Sequence, residues 1–195
     1  MYGPCNRIPT PEDAPTNPIT AYGVAKLAIE KYLGVYRHQR GLDYRVLRVA
    51  NPYGPFQTTR KGQGVIAAVM ASAIHGTPLT IWGDGRVVRD YVFVDDVIDS
   101  IEKAIAHTGD SRIFNIGSGH GRDVLEVVHT VEALTRKRLQ LDFLPARPVD
   151  VPVSILDPSL AGHELDWQTR TSFEDGLAQT LDWSLRFEAL AGDNL

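Results

Sequence analysis

A chain of 195 residues suffices for one domain with a small second lobe, and 43% hydrophobic with 23% charged residues is ordinary globular composition. A net charge of -4 without any Lys/Arg-rich run argues against nucleic acid or a membrane surface as partner. The lone Cys5 excludes an internal disulfide and a cysteine-based zinc site, and six histidines without close ligand spacing give no reason to expect another metal.

In chain order, "MYGPCNRIPTPEDAPTNP" is polar and proline-rich, unlike a signal peptide, and no later apolar run approaches bilayer length. A cytoplasmic protein is expected. A helix starts near Thr20, a plausible cap, and ends before Gly41. "DYRVLRVAN" (43–51) reads as a strand ended by the turn "PYGPFQ", and "GVIAAVMASAIHG" (64–76) as a helix closed by glycine. "PLTIWGDGRVVRDYVFVDD" (78–96) has two apolar runs around Asp84-Gly85, which predicts a hairpin. A helix with an acidic first turn follows at 96–107; Asp95 and Asp96 read as capping residues rather than as a catalytic pair. "RIFNIGSG" is a short strand and turn, 123–135 a helix, 139–145 a strand, and two helical stretches end the chain. Strands alternating with helices give an α/β class with a parallel sheet and a smaller attached lobe.

Tyr22 and Lys26 stand one helical turn apart and leave the same helix face. With seven tyrosines and five lysines, chance alone supplies about 0.2 such pairs, so a packed tyrosine beside an exposed lysine is the plain alternative. The chemical reading is an acid–base pair. A phenol with a pKa of about 10 is a poor base near neutrality, and a neighbouring ammonium stabilises its phenolate.

The order of motifs "PxxxYGVAK…LRVANPYGP…PLTIWGDGRVVRDYVFVDDV…FNIGSG…ARPVDVP…ELDW" resembles the extended short-chain dehydrogenase/reductase superfamily, in its nucleotide-sugar epimerase/dehydratase branch, nearest to the UDP-glucose 4-epimerases. The resemblance runs from Tyr2 to about Trp183. It implies NAD-dependent epimerisation at C4 of a nucleotide-activated hexose, with a 4,6-dehydratase or reductase as the alternative and a non-catalytic nucleotide-sugar-binding subunit as a reading of another class.

By that resemblance Tyr22 is the catalytic base and acid, and Lys26 binds the nicotinamide ribose and tunes Tyr22. Asn51 looks like the asparagine that reaches the nucleotide diphosphate; a strand-end turn residue would read the same. "LTIW" (79–82), with Leu79 and Ile81, looks like the segment flanking the base, although a plain hydrophobic edge strand explains it too. Arg89 resembles a phosphate clamp, against a surface ion pair with Asp90 or Asp95. Arg147 and Asp150 match residues that hold phosphate and ribose, against a buried pair that orders its own loop. Ser154 resembles the position whose bulk limits the sugar's 2-substituent, and its small size would admit an N-acetyl group.

The resemblance implies further that residues 1–52 and about 90–119 belong to the Rossmann-like domain, 53–89 and 120–190 to the nucleotide-sugar lobe, and 191–195 to a tail. Gly117, Gly119 and Gly121 imitate a dinucleotide loop, but Arg122 stands where its third glycine would fall, so a turn is expected. The family's cofactor-binding glycine loop and the Ser/Thr before "YG" have no counterpart in the sequence, and Met1 stands where relatives carry valine. A start codon assigned inside a longer frame is one explanation. The expectations are a homodimer for the complete protein, and poor stability or obligate association for this chain alone.

Overall fold

The computed structural model describes residues 1–57, 64–147 and 151–192. Helix α1 (Ala21–Arg40) opens with the Thr20 hydroxyl accepting the Gly23 N–H at 3.1 Å and closes at Gly41, whose φ of 69° suits a residue without Cβ. Strand β1 (Val46–Val49) pairs in parallel with β5 (Ile113–Ile116). A single residue, Ala50, separates β1 from β2 (Asn51–Tyr53), which pairs in parallel with β4 (Val88–Phe93). Strand β4 also takes β6 (Gly121–Asp123) antiparallel and β8 (Val153–Ser154) parallel.

The hairpin expected around Asp84-Gly85 does not form. Strand β3 (Leu79–Trp82) pairs in parallel with β7 (Leu141–Leu144), while β4 pairs elsewhere. The turn is real, with the Asp84 carboxylate accepting the Arg86 N–H at 2.9 Å. It redirects the chain between two sheets because β4 finds three other partners. Helices α2 (Val65–His75), α4 (Val124–Thr135) and α6 (Phe173–Gly192) bury one core with Tyr53, Tyr91 and Phe93, while α3 (Val94–Ala106) and α5 (Ser159–Leu165) close a second around Phe114, Ile116 and Trp167. Asp123 caps α4 in a reciprocal box with Glu126.

Asp96 departs from the capping expectation. It is buried in the first turn of α3, where its carboxylate accepts the N–H groups of Arg170 and Thr171, both at 3.2 Å, and its carbonyl accepts Trp167 Nε1 at 2.8 Å. A buried carboxylate needs donors, and a distant loop supplies them.

Only Gly23 and Glu30 of α1 are buried, and its apolar residues Val24, Ile29, Tyr32, Val35 and Tyr36 face solvent. One polar anchor fixes the helix. Arg48 on β1 donates Nε and Nη2 to the two Glu30 carboxylate oxygens at 2.9 and 2.8 Å, and Nη1 to the Tyr2 hydroxyl at 2.6 Å. The Tyr2 hydroxyl donates to Asn115 Oδ1 at 2.8 Å, and Asn115 Nδ2 donates to the Thr10 carbonyl at 2.9 Å, so this buried network ties the proline-rich entry segment to both strands.

Candidate active site

Strand alternation on β4 builds the site. Asp90 is wholly buried on one face, and its carboxylate accepts Ser118 N and Oγ at 2.8 and 2.6 Å, Leu156 N at 3.2 Å and Gly119 N at 3.4 Å. Burial pushes its pKa up, against the pull of these hydrogen bonds. Period two then turns Arg89 and Tyr91 to the opposite face.

That face borders a cavity of about 400 Å³ whose lining includes Asn51, Leu79, Ile81, Trp82, Arg89 and Arg147. Five of these six come from the sequence reading. Asn51 Nδ2 donates to the Asp90 carbonyl at 2.9 Å, which fixes the amide as β2 starts. Leu79 and Ile81 alternate inward along β3 and belong to the core as well as to the lining, whereas Thr80 and Trp82 turn outward. Arg89 Nη1 donates to the carbonyls of Val88 and Val151 at 2.9 and 2.6 Å; neither bond goes to the acids Asp90 or Asp95. The Arg147 guanidinium lies over the Trp82 ring at 4.2 Å and is exposed, so it is not half of a buried ion pair. Arg89 and Arg147 are the charged groups among the described lining residues, and both are positive.

Ser154 is absent from that lining but stands opposite Arg89 in the β4–β8 register. Asp150 lies outside the described residues. Tyr91 also lines the cavity and was not foreseen; Trp82 falls within the segment 79–82 read as flanking the base but was not singled out there. The Tyr91 hydroxyl is buried with no hydrogen-bond partner among the described residues, and burial pushes its pKa up to about 12.

Tyr22 and Lys26 are not part of this cavity. They sit in the first two turns of α1, both exposed, with the Lys26 ammonium 5.3 Å from the Tyr22 ring centre. The pair is neighbourly and accessible, as a proton-transferring group has to be.

The 117–119 turn does not cradle a pyrophosphate. The N–H groups of Ser118 and Gly119 already donate to Asp90, and a Cβ on Gly117 would lie 2.3 Å from an Asp90 carboxylate oxygen. Gly117 packs closely against β4 and Gly119 takes a φ of 74°, so the segment is a turn, as expected.

Residues 1–117 match the model of the NAD dependent epimerase/dehydratase family. Over 183 residues the chain is 35% identical to UDP-glucose 4-epimerase of Mycolicibacterium smegmatis, covering 94% of this chain and 58% of that one. It superposes with a TM-score of 0.92 on a crystal structure of UDP-glucose 4-epimerase with UDP-glucose from Thermotoga maritima, at 38% identity, covering 96% of this chain and 60% of that one. A complex of Thermus thermophilus UDP-glucose 4-epimerase with NAD matches with a TM-score of 0.84 and 33% identity, over 94% of this chain and 60% of that one. The chain thus spans about three fifths of the length of these relatives. Among the described residues no helix is long and apolar enough to cross a membrane, and no group of three or more metal-ligating side chains is present.

Proposed function

Because the chain belongs to the NAD dependent epimerase/dehydratase family, we propose that it is the substrate-side and proton-transferring portion of an enzyme that epimerises a nucleotide-activated hexose at C4. The observation that carries this reading is the cavity beside β4. Two guanidiniums on one lining suit a diphosphate of about two negative charges, and an indole with two aliphatic side chains suits a flat base. Asn51 and Arg89 would hold the diphosphate, Leu79 and Ile81 would border the base, and Arg147 with Asp150 would close on phosphate and ribose. Ser154 beside Arg89 would leave room at the sugar's 2-substituent.

Tyr22 would take the proton from the C4 hydroxyl and return it after the sugar has turned over. Lys26 would supply the positive charge that a developing phenolate needs and hold the nicotinamide ribose. NAD, when bound, supplies the acceptance and return of the hydride at that carbon. Residues 1–52 and about 90–119 would form the cofactor side, 53–89 and 120–190 the nucleotide-sugar side, and 191–195 a tail. The complete protein would be a homodimer, and the exposed apolar row on α1 is surface of the kind such a contact covers.

Calorimetric titration of the folded chain with UDP, UDP-glucose and NAD tests the reading. Saturable one-to-one binding of both uridine ligands is expected, with NAD silent until a partner polypeptide supplies its cradle. A folded chain that ignores UDP and UDP-glucose overturns the proposal. Saturable NAD binding by the chain alone would overturn the division of labour and call for a direct assay of turnover.

A further inference from the structure

At the N-terminal ends of β1 and β5, away from the end of β1 that leads to Asn51, three guanidiniums converge on one carboxylate. Asp43 is reached by Arg45 at 2.7 Å, Arg112 at 3.4 Å and Arg37 at 3.6 Å. These groups line an open cleft of about 590 Å³ together with His107 and Thr108. Asp43 is the only acid among the described residues of that lining; with Glu164, whose carboxylate lies 3.3 Å from His107 Nε2, two acids stand against three guanidiniums, and one positive charge is unbalanced.

The ordinary explanation of arginines here is the negative ends of α1 and α3, which finish at this point. It accounts for part of the arrangement: Arg45 Nη2 donates to the His107 carbonyl at 2.5 Å, and Arg112 Nη1 donates to the Gly109 carbonyl. It does not account for the rest. Arg45 Nε, Arg112 Nε and His107 Nε2 are buried with no hydrogen-bond partner among the described residues. His107 Nε2 has only an ion-pair approach of 3.3 Å from Glu164, and Arg112 Nε only the one from Asp43. A surplus of positive charge around one exposed carboxylate marks a place that the carboxylate fills incompletely. The Asp43 side chain retains 69% of its exposure, so it occupies the cleft from the solvent side.

We propose that this cleft is a binding site for a phosphate-class oxyanion, with Arg37, Arg45 and Arg112 as its donors and Asp43 as the internal group that it displaces. The four residues of β1 between Arg45 and Ala50 put it about 13 Å from the end of the strand that leads to Asn51. It is a second anion site, independent of the cavity assigned to the nucleotide.

The test is a 31P NMR and calorimetric titration with inorganic phosphate and with glycerol phosphate at constant ionic strength, on the wild-type chain and on the Arg37→Gln and Asp43→Asn variants. Both changes lie on exposed side chains and leave the two core regions untouched. Saturable binding with a Kd on the order of 1 mM is expected in the wild type, weakened at least threefold by R37Q and tightened at least threefold by D43N. Equal binding of both ligands would identify the free dianion as sufficient; preference for the ester would identify a phosphorylated metabolite as the ligand class. Affinities that do not differ among the three proteins would mean an adventitious ion only and overturn the proposal. Binding seen only in D43N would overturn it as well, since Asp43 would then be the native occupant.

Discussion

Removing one member of the Glu30–Arg48 pair should cost far more than a surface ion pair would. Both side chains are under one tenth exposed, and the pair is bidentate at 2.8 and 2.9 Å. Glu30→Ala leaves a buried guanidinium with two donors unmatched, and Arg48→Ala leaves a buried carboxylate and strips the Tyr2 hydroxyl of a donor. Breaking a buried pair from one side costs about 3–5 kcal/mol, against roughly 0–1 kcal/mol for an exposed pair. With a urea m-value of roughly 2–3 kcal/mol per molar, either single variant should lower the unfolding midpoint by about 1–2.5 M. The double variant should cost less than the sum of the singles by at least about 2 kcal/mol, because neither charge is then left alone. Tryptophan fluorescence and circular dichroism through a urea series measure all four proteins. Additive singles, or single losses below about 1 kcal/mol, would refute the idea that one buried ion pair anchors the helix that carries Tyr22.

Arg89→Met should weaken UDP binding by about 10- to 150-fold, the equivalent of one charge-assisted hydrogen bond, and should lower the melting temperature modestly because the Val88 and Val151 carbonyls lose a donor; calorimetry with parallel scanning checks both. Asp90 has a folded pKa raised by burial, so its contribution to stability is fully present below the unfolded value of about 4 and is lost as pH rises through the folded value. The wild type should therefore lose stability relative to Asp90→Asn as pH rises through that window, as urea midpoints in a pH series would register. Gly176→Ala places a methyl 2.2 Å from the Tyr53 hydroxyl and should destabilise by about 1–3 kcal/mol or more. Gly34→Ala, in mid-α1 with nothing nearer than 3.8 Å, should stabilise by up to about 1 kcal/mol, and thermal melts compare the two.

Local elements were legible where local chemistry decides them. The Thr20 cap and the Gly41 and Gly76 stops follow from a side-chain hydrogen bond and backbone freedom within a few residues. Pairing was not legible. Asp84-Gly85 signals a turn, but whether the flanking strands meet depends on competitors far along the chain, and β4 prefers β2, β6 and β8. Asp96 misled for the same reason, since its donors at Arg170 and Thr171 lie more than seventy positions along. The cavity's residues were named one by one from resemblance to family motifs; that Arg89 and Arg147 share it with Asn51 rests on β4 and β3 being brought together by the aromatic core of Tyr53, Tyr91, Phe93 and Phe173.

Ala50 has a mechanical meaning. Its N–H still donates to Ile116 at 2.8 Å in the first sheet, and the next residue, Asn51, is already registered against Tyr91 in the second. No flexible joint fits in so short a span. Arg48, which grips α1, and Asn51, which faces the cavity, are three residues apart on one extended run, about 10 Å. The strand acts as a stiff spacer between the two. A tug on the helix at Glu30 reaches the cavity with little slack, and any opening needed for exchange of a bound molecule has to come from segments other than this one.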